Sequence, residues 1–300
     1  MRLLVCAFLP LAALAARIVQ SNDDGWAEIN IRTLYNVLTN AGNDVILSAP
    51  AENQSGRGSL DSPPTNRTSP CEFNSCQAGG ATGFNATNPR LNWVNSFPVT
   101  SIKHGIDSVA PQFFGTSRPD IAVTGPNVGS NLGLINSFSG TVGAASYAAG
   151  TASIPAIAFS GKSGEQTAFD QPTPLYASVY ADLALNLTSA VVASGAPLLP
   201  AGVFLNVNFP EVSVNTCSSA SDFKFVFSRI HTNILPVSVD PDVDTCGNGK
   251  RLPTESKVVG TAGCYVSVSP GKSSDKSTVD AATQAFVLDK LKGILSCLPA

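Results

Sequence analysis

Short apolar runs that stop at glycine-bearing polar loops recur along this chain, with helical periodicity between them. The first, Arg17-Ile18-Val19-Gln20-Ser21, ends at Asn22-Asp23-Asp24-Gly25, and Ile31, Leu34, Val37 and Leu38 follow at helical spacing. Gly42 is placed to cap that helix, and residues 44–49 read as a second strand halted by Pro50. Residues 118–124, with Ile121-Ala122-Val123 as their apolar centre, read as a buried strand on the parallel-sheet pattern, opening into a glycine-rich loop over 125–133. Ser139-Gly140-Thr141 starts a helix of small residues, and 154–159 returns as a strand. That unit is βαβ and should cross over right-handed. A helix over 176–193 and an alternating strand over 203–210 extend the series. The predicted class is α/β, a Rossmann-like three-layer α/β/α arrangement around a mostly parallel sheet.

Two stretches break the pattern. From Leu60 to Pro98 the composition shifts to Ser, Thr, Asn, Pro and Gly, which reads as an irregular excursion tied down by Cys71 and Cys76, not a separate domain. Residues 211–264 read as a variable arm with strand-like runs at 223–230 and 264–268. A helix is also predicted over 99–109, and a terminal one within 277–297, pinned by Cys297. Residues 17–300 then form one domain.

Composition adds the compartment. Arg2, an apolar run through Leu14 and small residues at 13–16 have the layout of a signal peptide over residues 1–16, cleaved near Ala15 or Ala16. That run is too short to span a membrane comfortably, and no other stretch reads as long enough. Of seven cysteines, Cys6 leaves with the signal; the other six make an even set, as expected of a secreted chain. Cys71 with Cys76 is the easiest pair, and the sequence leaves the pairing of Cys217, Cys246, Cys264 and Cys297 open. Zinc is disfavoured, because no Cys-x-x-Cys occurs and His104 and His231 are the only histidines. Sequons at Asn66, Asn85 and Asn186 fit an extracellular glycoprotein, while the sequon at Asn53 lies in a loop expected to serve another purpose. A net charge of −3 gives no footprint for polymeric nucleic acid.

The chemistry gathers at strand ends. Ligands of open α/β sheets bind past the carboxyl ends of the strands, where Asp23 and Asp24 fall. Adjacent carboxylates repel unless a cation lies between them, and a hard divalent ion is the economical answer. In a parallel sheet the loops bearing Asp23 and Asp24, Ser55, and Asn127 with Asn131 open on one edge. Beside them, the Ser139-Gly140-Thr141 turn offers uncommitted N–H groups to a phosphate. With no Walker-type Gly-Lys-Ser/Thr, this set points to phosphate-ester hydrolysis. His104 is expected to be a packing residue, and Asp240-Pro241-Asp242-Val243-Asp244 a solvated acidic turn.

Four ordered motifs carry a family resemblance. They are Ser-Asn-Asp-Asp-Gly at 21–25, Ala49-Pro50 with Ser55-Gly56, Gly-x-Asn-x-Gly-x-Asn-x-Gly at 125–133, and Ser-Gly-Thr-Val-Gly-Ala-Ala at 139–145. Together they resemble the survival protein SurE family of metal-dependent phosphatases and nucleotidases. The resemblance implies that Asp23, Asp24, Ser55 and Asn127 hold magnesium, manganese or calcium, and that Asn131, Ser139, Gly140 and Thr141 bind phosphate. It implies catalysis by Asp23 and Asp24 through a metal-activated water, on nucleoside monophosphates or broader acid-phosphatase substrates. The sequon-rich, cysteine-bearing excursion suggests a secreted, fungal-type offshoot. No membrane partner is expected, and a homodimer is left open because family members dimerise through C-terminal arms. The alternative is a secreted nucleotide- or carbohydrate-binding module with a structural metal.

Overall fold

The computed structural model describes residues 15–231 and 240–299, so the signal segment lies outside it except for Ala15 and Ala16. The first half contains β1 (Arg17–Ser21), α1 (Ile29–Asn40), β2 (Asp44–Pro50), β3 (Thr82–Asn85), β4 (Asn88–Val94), α2 (Pro98–His104), α3 (Ala110–Phe114), β5 (Ile121–Val128) and α4 (Gly140–Gly150). The second contains β6 (Ala156–Gly161), α5 (Leu175–Ala193), β7 (Val203–Phe209), β8 (Lys224–Phe227), α6 (Glu255–Gly260), β9 (Tyr265–Lys272), α7 (Ala281–Leu291) and β10 (Leu295–Ser296). All strands join one sheet in the order β10-β8-β9-β7-β6-β5-β1-β2-β4-β3. Neighbours run parallel except β3 on β4 and β9 on β7. After β1 the chain moves one way to β2 and β4, then returns to β5 on the other side. The switch point of the topology is therefore the gap between the ends of β1 and β5, where ligands of such sheets bind.

Alternation along each strand builds the layers. Ile18, Leu47, Val123, Phe159 and Val207 face one side and pack with Leu34 of α1 and with Leu183 and Leu187 of α5. Val19, Ile46, Ala122 and Phe204 face the other, against Ile102 of α2 and Val142, Ala145 and Ala148 of α4. The predicted three-layer α/β class is the one observed.

Four local expectations need correcting. The stretch over 60–98 is irregular only in its first half. Its end supplies β3 and β4, with β4 parallel to β2 in the register Leu47↔Leu91 to Pro50↔Val94. Pro89 and the short hairpin hid a period-2 pattern in which Leu91 and Trp93 are buried. Secondly, β5 does not end at Thr124 but runs through a bulge between Thr124 and Asn127 to Val128. Gly125 makes this possible: its φ is 97°, and a Cβ there would lie 2.2 Å from the Phe159 carbonyl oxygen. Thirdly, α5 at 19 residues is long and apolar enough to cross a membrane by length and composition, although no such stretch was expected. Here half of it is buried as a layer helix over the sheet.

The fourth concerns the acidic turn. Asp242 is buried rather than solvated, with its Oδ2 accepting from Arg229 Nη1 at 2.6 Å and from the Leu252 N–H at 2.9 Å, and its Oδ1 from Gln284 Nε2 at 2.8 Å. These partners come from distant elements and fasten the 211–264 arm to α7, so no local pattern reveals them. Asp242→Ala removes the carboxylate from a buried guanidinium and should destabilise the fold by about 3–5 kcal/mol. Exposed Asp240→Ala should stay within about 0.5 kcal/mol. Denaturant titration with the disulfides intact compares the two.

Candidate active site

The Asp-Asp turn is set by its own side chains and by the next strand. Asn22 closes it by accepting from the Gly25 N–H at 3.2 Å and donating to the Gly25 carbonyl at 2.9 Å. This leaves Asp23 and Asp24 pointing into the switch-point gap, both almost fully buried. The Asp23 Oδ2 accepts from the Gly140 N–H at 3.0 Å and Oδ1 from the Thr141 hydroxyl at 2.5 Å, at the N-terminus of α4. Asp24 Oδ2 accepts from the Val128 N–H at 2.9 Å, and Oδ1 from Gln166 Nε2 at 2.7 Å.

The other two loops close around this pair. The Gln54 N–H donates to the Asp23 carbonyl at 2.6 Å, and the Gly58 N–H to the Phe138 carbonyl at 2.9 Å, so the loop bearing Ser55 lies between the Asp-Asp turn and the start of α4. Ser55 itself is exposed, its N–H held by Asn53 Oδ1 at 2.8 Å. Asn127 donates through Nδ2 to the Val128 and Gly129 carbonyls at 3.3 and 2.6 Å, which leaves Oδ1, the atom a cation needs, outside those bonds. All three predicted loops therefore meet at one sheet edge. A cavity of about 880 Å³ opens at the opposite end of the strands, beside Arg17, Asp120 and Leu198, and no site residue lines it.

The electrostatics favour a cation. Burial raises the carboxyl pKa of both aspartates, and Asp24 is pushed well above the usual range, with Asp23 and Glu28 as the strongest neighbouring charges. For Asp23 the hydrogen bonds from Thr141 and Gly140 oppose that rise. Two buried carboxylates with an amide oxygen and a hydroxyl nearby form an all-oxygen donor set that fits magnesium, manganese or calcium. Among the described residues no trio of His, Cys, Asp or Glu gathers into a metal-binding group, here or elsewhere, so a cation at this site would also need the oxygens of Ser55 and Asn127.

One expectation fails here. The turn at 139–141 does not offer free N–H groups: those of Gly140 and Thr141 serve Asp23, and the Val142 N–H is capped by Ser139 Oγ at 3.1 Å. The helix end carries an anion already, and that anion is Asp23. Asn131 is likewise embedded. It donates to Ser160 Oγ at 2.8 Å and to Asn208 Oδ1 at 2.8 Å, and its carbonyl accepts from Asn206 and Asn208 at 2.9 Å.

Residues that sequence reasoning missed support these loops. Gln166 follows β6 on the same sheet edge, a position that could have been found by listing strand-end loops. Glu255, at the start of α6, is fully buried and accepts from Asn206 Nδ2 at 2.7 Å and the Gly133 N–H at 3.0 Å, fixing the glycine-rich loop; no local signal marks it. Burial lifts the carboxyls of Glu28, Glu72 and Glu255 from 4.5 to about 8. Acids raised in this way favour the folded state most below about 4.5, and that advantage is lost as pH rises through about 8. Melting temperature in chelator should therefore fall between pH 5 and pH 8.5. Glu255→Gln should flatten the fall, by up to roughly 1.4 kcal/mol per pH unit.

Of the cysteine calls, the structure pairs Cys71 with Cys76 as expected, and joins Cys217 to Cys264 and Cys246 to Cys297. Asn66 and Asn186 are exposed, whereas Asn85 is half-buried at the β3–β4 turn, where its Oδ1 accepts from Thr87 and Asn88.

Known proteins place this geometry. The survival protein SurE family model matches residues 18–231. An acid phosphatase of Yarrowia lipolytica is 32% identical over 284 residues, 84% of this chain and 78% of that protein. A 5'-nucleotidase SurE of Lawsonia intracellularis is 31% identical over 197 residues, 66% of this chain and 67% of that protein. The SurE protein of Aquifex aeolicus has the same fold, with a TM-score of 0.60 at 22% identity, covering 86% of this chain and 93% of that one. The chain belongs to the survival protein SurE family.

Proposed function

We propose that this protein is a secreted, divalent-metal-dependent phosphomonoesterase of broad, acid-phosphatase type. The observation that carries the reading is the pair of adjacent buried carboxylates at the switch point, each bonded to a different neighbouring element. Secretion is supported by three disulfides that join all six cysteines of the described residues. Relatives named acid phosphatase and 5'-nucleotidase support phosphate-ester chemistry.

In this reading Asp23, Asp24, Asn127 and Ser55 would hold the ion. When bound, such a cation supplies positive charge to a phosphoryl oxygen and lowers the pKa of an adjacent water. The chain's own residues do the rest. The N-terminus of α4 fixes the Asp23 carboxyl and opposes the rise that burial gives its pKa, while Gln166 and the Val128 N–H aim Asp24. Asn131, locked by Asn206, Asn208 and Ser160, presents a rigid amide edge at the loop that would flank the phosphate. Leu134, Ile135 and Phe138 are exposed on the turn leading into Ser139, apolar surface that suits a leaving group with a hydrophobic or aromatic face.

Release of phosphate from p-nitrophenyl phosphate should require added Mg²⁺ or Mn²⁺ and stop with chelator. Asp23→Asn should lower kcat by roughly 100-fold or more while far-UV circular dichroism stays native. A folded wild-type protein that releases no phosphate with any of these metals would instead be a binding module.

A further inference from the structure

Glu72 is a half-buried carboxyl that the proposed chemistry does not use. It opens a single helical turn, Glu72–Asn74, inside the loop closed by the Cys71–Cys76 disulfide. Its carboxyl reaches back across the sheet edge to the Asp-Asp turn, while its backbone is tied to the start of the loop that carries Ser55. Oε1 accepts from the Ala27 N–H at 3.2 Å, just beyond the Asp-Asp turn. The backbone N–H of Asn53, two residues before Ser55, is among the groups that favour the charged form of Glu72 against its burial. It also lies on Gly25: a Cβ built there would fall 1.9 Å from Glu72 Oε1, and the φ of Gly25 is 118°. Glycine at that position therefore makes room for Glu72 as well as for the turn.

The loop that carries Glu72 is itself anchored. The Glu72 N–H donates to the Ala51 carbonyl at 3.2 Å, and the Cys71 N–H to the Cys76 carbonyl at 3.1 Å. Upstream, the buried Arg67 guanidinium bonds the Ser69 carbonyl at 3.0 Å and Asn95 Oδ1 at 3.0 Å, and it also bonds Glu52 and the Pro70 carbonyl. The excursion over 60–98 is thus braced against the sheet edge and presents one carboxyl to the site from outside it.

We propose that Glu72 is a positioning residue for the metal site, clamping the Asp23-Asp24 turn to the Ser55 loop, and that the Cys71–Cys76 disulfide holds the clamp in place. This rests on the reading of that site as a metal site. The ligands come from loops far apart in the chain, so a clamp that orders two of them beforehand reduces the ordering left for the ion to impose. Residues that orient metal ligands in this way typically change affinity by 10–100-fold when lost.

The test is Mn²⁺ titration of the full folded protein, by calorimetry and by loss of the free-ion electron paramagnetic resonance signal. Wild type is compared with Glu72→Ala, Glu72→Gln and the double variant Cys71→Ser/Cys76→Ser, and melting curves are recorded in chelator. Glu72→Ala and the double cysteine variant should bind Mn²⁺ at least roughly tenfold more weakly. Glu72→Gln, which keeps an oxygen able to accept from the Ala27 N–H, should stay within about threefold of wild type. Wild-type affinity in Glu72→Ala overturns the clamp, and so does a Gln variant as weak as the Ala variant. Should Glu72→Ala not fold, the cysteine variant decides: undiminished Mn²⁺ affinity overturns the proposal and weakened affinity supports it. A wild-type protein that binds no Mn²⁺ sinks the metal reading itself, a result distinct from any of these.

Discussion

Two carboxylates buried side by side repel each other and resist ionisation, so their shared position must be stabilised from outside the pair. The fold meets that constraint at its switch point. Asp23 sits on the N-terminus of α4, where helix dipole and N–H groups favour its charge, and Asp24 is held by Val128 of the neighbouring strand and by Gln166. Much of the surrounding architecture follows. The bulge in β5 at Gly125 carries the chain past Phe159 and on to Val128 and Asn127, and the small residues of α4 let its first turn reach Asp23.

The frame was legible because its signals are local. Apolar runs at β1, β2 and β5, each ended by a polar loop, gave the strands, and parallel order then placed the three loops on one edge. What stayed hidden depends on contacts distant in sequence. Asp242 looked solvated because its arginine and glutamine partners lie on other elements, and β4 looked irregular because Pro89 and a short hairpin obscured its alternation. The helix N-terminus was recognised as an anion site, but its occupant had been read as substrate phosphate. Which anion takes such a site depends on the tertiary approach of β1 to α4, which no single stretch encodes.

Around this centre the chain adds bracing. Glu255 fixes the glycine-rich loop from α6 through Asn206 and Gly133, and Glu72 reaches the opposite side from a disulfide-closed loop. Glu255 is fully buried and Glu72 half-buried, and both have their pKa raised to about 8, so both are best accommodated below neutrality. Three disulfides and carboxyls of this kind together make a fold held best below neutral pH.

The central claim, that Asp23, Asp24 and Asn127 enclose a single hard cation, is tested most directly by anomalous diffraction from crystals grown with Mn²⁺. The account predicts one strong peak with Asp23, Asp24 and Asn127 oxygens at short metal–oxygen distances of about 2.0–2.6 Å. A well-ordered site with no peak there, or a peak held by other residues, would contradict it.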